Sequence, residues 1–339
     1  MTGGDRGVNA PLRALGTRAR SRPLLAAATA AGCALAATAA VLVPTQKGTA
    51  AERPDRPPTA VEGQARGVSA AKCENPAASL RPTGDLDGPA VQRIKARGKL
   101  IAGVDQNSYR WGYRNPATGE LSGFDIDLVH AIAKDILGDP GKVMFLAIPT
   151  NRRIPAVQSG KVDIIARTMT INCDRIKQVA FSTAYFEAGQ QVLVPKGSPV
   201  KAFDDSLKGK KVCTAEGSTA EAKVREEPHG STLLTVPNHL DCLVRLQLGQ
   251  VDAVVNDNAL AAGQAAQDPS VELVGKPFTT EPYGVAMNLK DVDLVRRVNK
   301  VLEDYRSGGA NSPWMQAYQH WLASGLGGTD APPAPEYRD

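Results

Sequence analysis

The sequence predicts an α/β fold built as two similar lobes, and three observations carry that expectation. From Lys99 onward, short apolar runs alternate with amphipathic segments, the pattern of strands and helices taken in turn. Gln158-Ser-Gly-Lys-Val-Asp-Ile-Ile-Ala166 is echoed by Gln247-Leu-Gly-Gln-Val-Asp-Ala-Val-Val255. Each copy reads as a helix end closed by a glycine (Gly160, Gly249) and a strand entered through Val-Asp. Polar residues follow both strands, Thr168 and Thr170 in the first half, Asn256-Asp257 in the second. Open α/β sheets collect ligands at such strand ends.

The elements follow in chain order. Arg6, Arg13, Arg18, Arg20 and Arg22 precede an Ala/Leu/Val-rich stretch from Leu24 to Val43, the charge-then-apolar order of an export signal. Residues 1–43 are therefore expected to direct export, and three fates remain open: cleavage, retention as a membrane anchor, or lipidation at Cys33, which follows Ala30-Ala31-Gly32. Removing them takes away five arginines and Asp5, so the formal net charge of +5 falls to about +1. The basic character belongs to the leader and gives no argument for nucleic acid. Residues 44–84 mix Pro, Ala, Gly, Glu and Arg without periodicity and read as a disordered linker; 327–339 read as a disordered tail.

Strands are expected over Leu100–Val104, Val143–Ala147, Val162–Ala166, Gln191–Val194, Lys211–Thr214, Leu233–Val236, Val251–Val255 and Val285–Asn288. Leu128, Val129, Ile132, Ala133, Ile136 and Leu137 form a helical stripe ended by Gly138, and Leu294, Val295, Val298, Val301 and Leu302 form another. Trp314, Tyr318 and Trp321 share one face of a last helix. Four cysteines lie beyond the leader, an even number in an oxidising compartment. Cys213 and Cys242 fall in one half and are paired on that ground, leaving Cys73 with Cys173.

The densest segment is Arg167–Ser182, RTMTINCDRIKQVAFS. It leaves an apolar strand, offers Thr168 and Thr170, places Asn172 and Asp174 as helix caps, and sets Arg175 in a first helical turn. Strand-end N–H groups, hydroxyls and a fixed guanidinium together can grip a carboxylate. Catalytic patterns are scarce: there is no G-x-S-x-G, H-E-x-x-H, Walker loop or G-x-G-x-x-G. Ser198-Pro-Val-Lys201 lacks its companion motifs, and the four histidines show no metal-ligand spacing. The reading is a binding protein with no metal and no cofactor, not an enzyme.

Leu100-Ile-Ala-Gly-Val-Asp105, Gly123-Phe-Asp-Ile-Asp-Leu128, Arg153-Ile-Pro-Ala-Val-Gln-Ser-Gly-Lys-Val-Asp163, the Arg167–Ser182 segment and Glu281-Pro-Tyr-Gly-Val-Ala286 occur in this order. Together, from about Lys99 to Leu322, they resemble the polar-amino-acid solute-binding proteins of ABC importers, most nearly the glutamate-binding group. The resemblance implies the periplasmic-binding-protein type II fold: two mixed sheets flanked by helices and joined by a two-strand hinge. It places crossings near Gly189–Val194 and Glu281–Val285, lobe 1 over 85–189 plus 286–326, and lobe 2 over 190–285.

Carried onto this chain, the resemblance gives Arg175 the α-carboxylate of an amino acid, shared by Thr168 and Thr170. It closes Gly217, Ser218 and Thr219 over that carboxylate and assigns Asp257 to the α-ammonium. Asp105 takes a ligand-lining position, and Tyr109 or Trp111 covers the aliphatic part. Arg153, with Thr150 beside it, is aimed at a distal carboxylate, which favours glutamate, with aspartate and glutamine as further candidates. The resemblance implies a monomer that delivers its ligand to an ABC permease; a dehydratase-type enzyme on the same fold, with Asp105 as its carboxylate, and a sensory module are the alternatives.

Overall fold

The computed structural model describes residues 73–329 and 331–339. The expected leader, Cys33 and the linker up to residue 72 lie outside them. Among the described residues no helix is long and apolar enough to cross a membrane.

The first half opens with α1 (Pro89–Arg97) and β1 (Leu100–Val104). Three short strands follow, β2 (Asn107–Ser108), β3 (Gly112–Arg114) and β4 (Leu121–Ser122), then α2 (Phe124–Leu137), β5 (Val143–Ala147) and α3 (Arg153–Gln158). Next come β6 (Ile164–Ile165), β7 (Ala180–Phe181) and β8 (Phe186–Ala188). The second half holds β9 (Gln190–Pro195), β10 (Lys211–Ala215), α4 (Thr219–Glu226), β11 (Thr232–Val236) and α5 (His239–Gln247). It continues with β12 (Ala253–Asp257), α6 (Asn258–Gln267), β13 (Val271–Val274) and β14 (Glu281–Tyr283). The chain then returns through β15 (Ala286–Met287), α7 (Val292–Arg306), α8 (Pro313–Trp321) and α9 (Ala323–Leu326).

Two five-stranded sheets share one plan. The first runs β5-β1-β6-β15-β7 and the second β11-β10-β12-β9-β13. In each, three strands are parallel and the fourth is antiparallel. That fourth strand is the one that has just arrived from the other half, which is why two crossings are needed. The crossings pair as an antiparallel ribbon, β8 with β14, in register Glu281↔Ala188 and Tyr283↔Phe186. The second crossing falls where expected. The first comes slightly earlier, because Gln190 already belongs to the second sheet. The repeated glycines behave as the echo predicts: Gly160 (φ 70°) and Gly249 (φ 64°) both take the left-handed turn after a helix that side chains with a Cβ resist.

The alternating pattern located the long strands to within a residue or two. It missed β2–β4, β7, β8, β13 and β14, mostly two or three residues long and too short to show a period. An aromatic cluster fills the ground around the ribbon. Trp111 packs edge-on against Phe186 (4.8 Å between centroids) and Phe124 (5.5 Å), and Phe124 against Trp314 (5.7 Å). Trp111 is fully buried and its indole N–H donates to Ala259 O at 3.1 Å. It is a core residue beneath the ribbon, which removes it from the expected ligand cover.

Both chain ends depart from expectation. Residues 73–84 and 331–339, read as linker and tail from their Pro and Ala content, are fastened to the first half. Ser79 pairs with the tail, its N–H donating to Glu336 O and its carbonyl accepting from Arg338 N–H, both at 3.0 Å. Asn299 on α7 donates to Ser79 Oγ (2.9 Å) and Leu80 O (2.7 Å), and Tyr337 Oη donates to Glu303 Oε1 at 2.7 Å. Polar groups hold these segments, while Ala77, Ala78 and Leu80 pack on the core beneath them. Cys73–Cys173 and Cys213–Cys242 are both disulfide-bonded.

The first disulfide closes a loop of sequence separation 100, so it constrains the unfolded chain strongly. Replacing Cys73 and Cys173 together with serine is expected to lower stability by about 2–5 kcal/mol. Urea unfolding with and without reductant checks this; a wild-type protein indifferent to reductant would contradict it.

Candidate ligand-binding cleft

The strand ends of the two halves face each other across a closed cleft. On the first wall, the chain leaves β6 through Arg167 and enters a turn at Thr168, whose φ is 41°. The Thr168 N–H donates to Asp125 Oδ2 at 3.1 Å, and Tyr185 Oη donates to Asp125 Oδ1 at 2.7 Å. Thr170 bridges to Tyr283 of the ribbon, with Ile171 N–H donating to Pro282 O at 2.7 Å. The first jaw is thereby built onto a crossing strand.

Asn172 caps the next turn, its Oδ1 accepting from Arg175 N–H at 3.0 Å. The helix expected after it does not form and Asp174 caps nothing, because β7 begins at Ala180 and leaves room for little more than a hydrogen-bonded turn. Arg175 is buried all the same. Its Nη1 donates to Thr170 O at 2.8 Å and its Nη2 reaches across the cleft to Gly217 O at 3.1 Å.

The second wall is the β10–α4 turn and the end of β12. Ser218 caps α4 by accepting from Glu221 N–H at 3.0 Å, and Gly217 N–H donates to Glu221 Oε2 at 2.7 Å. Thr219 Oγ1 donates to Glu281 Oε2 at 2.9 Å. Asp257 ends β12, its Oδ2 accepting from Tyr283 Oη at 2.6 Å. Burial first, and then the neighbouring Glu281, push its carboxyl up to about 7, against the pull of Tyr283, Arg175 and Arg153.

Gly217 has φ 75° and a Cβ there would lie 2.9 Å from Asn151 Cα on the opposite wall. Gly217→Ala thus combines a strained backbone with a wedge between the walls. It is expected to weaken ligand binding by about tenfold or more, read by calorimetry; unchanged affinity would show that these walls do not meet around the ligand.

Two more buried guanidiniums lie behind Arg175. Arg153 donates from Nε to Thr150 O (2.9 Å), from Nη1 to Arg167 O (3.3 Å) and from Nη2 to Gly217 O (3.4 Å). It and Arg175 therefore converge on one carbonyl oxygen. Burial first, then the charges of Arg175 and Arg167, push Arg153 well below its usual range. Arg152, its neighbour, is exposed. Arg167, not singled out from the sequence as a site residue, is wholly buried, with Nη1 donating to Thr150 Oγ1 at 2.9 Å and Nη2 2.9 Å from Asp105 Oδ2.

Asp105 is fully engaged. Its Oδ1 accepts from the N–H groups of Gln106 (2.8 Å) and Asn107 (3.0 Å), and its Oδ2 from Ser108 Oγ at 2.7 Å. Burial raises its pKa, but Arg167, Ser108 and its other partners outweigh that and hold it below the usual value. Tyr109 is half-buried, edge-on to Tyr113 at 5.1 Å.

Arg153, Thr168, Thr170, Arg175, Ser218, Thr219, His239 and Asp257 line a remaining cavity of about 10 Å³, roughly what one water requires. The two walls must part to admit an amino acid. Of the expected residues, the structure brings Arg153, Thr168, Thr170, Arg175, Ser218, Thr219 and Asp257 to this cavity, with Thr150 and Gly217 at its outer lip. Asp105, Tyr109 and Trp111 do not line it. His239 does, at the start of α5 and buried, its imidazole pushed down to about 3 by burial and then by Arg167. Nothing local in the sequence marked His239; a strand and a helix start carry it there. Among the described residues no group of three His, Cys, Asp or Glu could hold a metal ion.

The chain is 40% identical over 229 residues to the ABC transporter glutamine-binding protein of Bacillus subtilis, covering 68% of this chain and 83% of that one. It is 28% identical to the glutamate/aspartate import solute-binding protein of Salmonella typhimurium, over 68% of this chain and 80% of the other. A solved structure of an ancestral arginine-binding protein bound to glutamine superposes with a TM-score of 0.62 at 40% identity, covering 67% of this chain and 98% of that one. The model of the bacterial extracellular solute-binding proteins, family 3, matches residues 100–324. Two mixed sheets, a two-strand crossing, a closed inter-lobe cleft and a match over more than half the chain agree: the chain belongs to the family 3 extracellular solute-binding proteins.

Proposed function

We propose that the protein captures glutamate outside the cytoplasm, between lobes covering 85–189 plus 286–326 and 190–285, and passes it to an ABC permease. The observation that carries the acidic ligand is the set of three buried guanidiniums, Arg153, Arg167 and Arg175, in one hydrogen-bonded network. Arg175 pairs bidentately with the α-carboxylate. In the closed cleft Gly217 O occupies the place of a ligand oxygen, since Arg153 and Arg175 both donate to it. Asp257 takes the α-ammonium, exchanging part of its bond with Tyr283 for a charge-assisted one. Thr168, Thr170, Ser218 and Thr219 complete the walls. An additional anion offsets the burial and the repulsion from Arg175 and Arg167 that depress Arg153.

Glutamine is the second reading, favoured by the 40% identical Bacillus relative. With an amide ligand the α-carboxylate would still meet Arg175 and Asp105 would still face Arg167, but Arg153 would have no carboxylate of its own, and that is the reason to prefer the acid. A dehydratase reading would need a free carboxylate at Asp105, which instead spends both oxygens on Gln106, Asn107, Ser108 and Arg167.

Titration calorimetry of the purified chain with glutamate, aspartate, glutamine, arginine and cysteine tests the proposal. Glutamate should bind at least about tenfold more tightly than glutamine. Absence of heat with every amino acid at millimolar concentration would remove the whole reading, and a preference for glutamine would remove its acidic half.

A further inference from the structure

Arg167 is the group the cleft leaves least satisfied. It is fully buried, yet its Nε and Nη2 have no hydrogen-bond partner among the described residues. Nη2 does lie 2.9 Å from Asp105 Oδ2, an ion-pair contact off the line of its N–H bonds. Asp105 meanwhile accepts from three other donors, so it neutralises Arg167 without saturating it. Buried polar groups are normally paired, and a guanidinium with unspent N–H bonds in a dry interior is among the costlier exceptions.

The unspent groups cluster. Thr168 Oγ1, on the next residue, and Asn256 Nδ2, at the end of β12, also lack partners among the described residues. Thr168 lines the cleft directly, and Asn256 lies beside Asp257, which does so too. His239 is close enough to both Asn256 and Arg167 to feel them, and is held neutral. Arg153 leans on Arg167 from the other side, its Nη1 donating to Arg167 O. Since Arg153 and Arg175 share Gly217 O, both are committed to the same end of the cleft. Arg167 and Asn256 lie behind the lining, each next in the chain to a residue that forms it (Thr168, Asp257), and their donors are the unspent ones there.

We infer that Arg167 is a specificity-determining residue: its Nε–Nη2 edge, braced by Asp105 and Thr150, receives the carboxylate at the side-chain end of the ligand. This rests on the amino-acid reading above and deepens it. Asp105 thereby has a role the sequence did not suggest. It orients and neutralises the arginine that reads the ligand and does not itself line the cavity. A planar fork accepts a carboxylate's two oxygens together, whereas an amide offers it one oxygen and an opposing NH₂.

The test is the ratio of glutamate to glutamine affinity, measured by calorimetry on the full chain. In Arg167→Gln combined with Asp105→Asn, which removes both charges and leaves neither buried alone, the ratio should fall by about 100-fold. Arg167→Lys keeps the charge but loses the fork and should lower the ratio by about tenfold; it carries the test if the double variant does not fold. Equal losses for both ligands, or an unchanged ratio, would overturn the inference and leave Arg167 a structural ion pair. A wild-type chain that prefers glutamine would overturn it too while leaving the amino-acid reading standing. Only a wild-type chain that binds no amino acid would remove both.

Discussion

Arg175→Ala is expected to abolish useful binding of every α-amino acid, raising Kd by roughly a thousandfold, or about 4 kcal/mol. The magnitude follows from where the guanidinium sits. It is buried, anchored by Nη1 on Thr170 O and offers Nη2 across the cleft, so it meets a carboxylate in a water-poor space without first having to be ordered. Removing it leaves the ligand carboxylate facing the Thr170 and Gly217 carbonyls, which repel it. The effect should be common to glutamate, aspartate and glutamine, unlike the ratio change expected at Arg167. A thermal melt of the ligand-free variant separates loss of binding from loss of fold. Retention of wild-type affinity within tenfold would mean that the α-carboxylate lies elsewhere.

Affinity should also climb with pH toward neutrality, and Asp257 is the cause. Its carboxyl is held at about 7 by burial and by Glu281, so at pH 6 most of it carries a proton that the ligand's ammonium must displace. Binding then releases a proton, and affinity rises by up to about tenfold per pH unit below 7 before flattening. Calorimetry in buffers of different ionisation enthalpy reads that proton directly. In Asp257→Asn the slope should vanish and affinity at pH 8 should fall by about 100-fold. A wild-type slope persisting in Asp257→Asn would assign it to another group.

For folding the sign is opposite. A carboxyl raised from 3.8 to about 7 contributes stability that is present below about pH 4 and is lost as pH rises to 7. Asp125, also pushed up to about 7 by burial, behaves alike while lying behind the cleft in bonds to Tyr185 and Thr168. Melting temperature against pH would therefore mix the two carboxyls. Binding against pH isolates Asp257, with His239 held neutral throughout the range.

Much of this architecture was legible because it is written locally. The long strands announce themselves by apolar runs, and the left-handed glycines Gly160 and Gly249 mark equivalent turns in the two halves. Arg175 and Asp257 could be located because each follows its strand at a short, readable distance. What was not legible depends on convergence. His239 reaches the cleft from the start of α5 with no local motif around it, and Arg167 looked like the first residue of a motif and not its deepest member. Trp111 illustrates the reverse error: an aromatic near a ligand-lining loop in sequence turned inward, because the ribbon supplied Phe186 and Tyr283 to pack against it. Composition misled at the ends, where Ser79, Tyr337 and Asp339 anchor segments whose prolines and alanines suggested none.

The attachment of those ends has a mechanical consequence. The Cys73–Cys173 bond and the hydrogen bonds around Ser79 and Tyr337 fasten both ends of the described region to the half that carries the first sheet. Tension applied through either of these ends therefore enters and leaves by the same rigid body, without passing through the β8–β14 ribbon. The half built on the second sheet meets that body through the β8–β14 ribbon, through α6 against α9 and through α5 against β2, so these contacts lie in the path of any parting of the cleft.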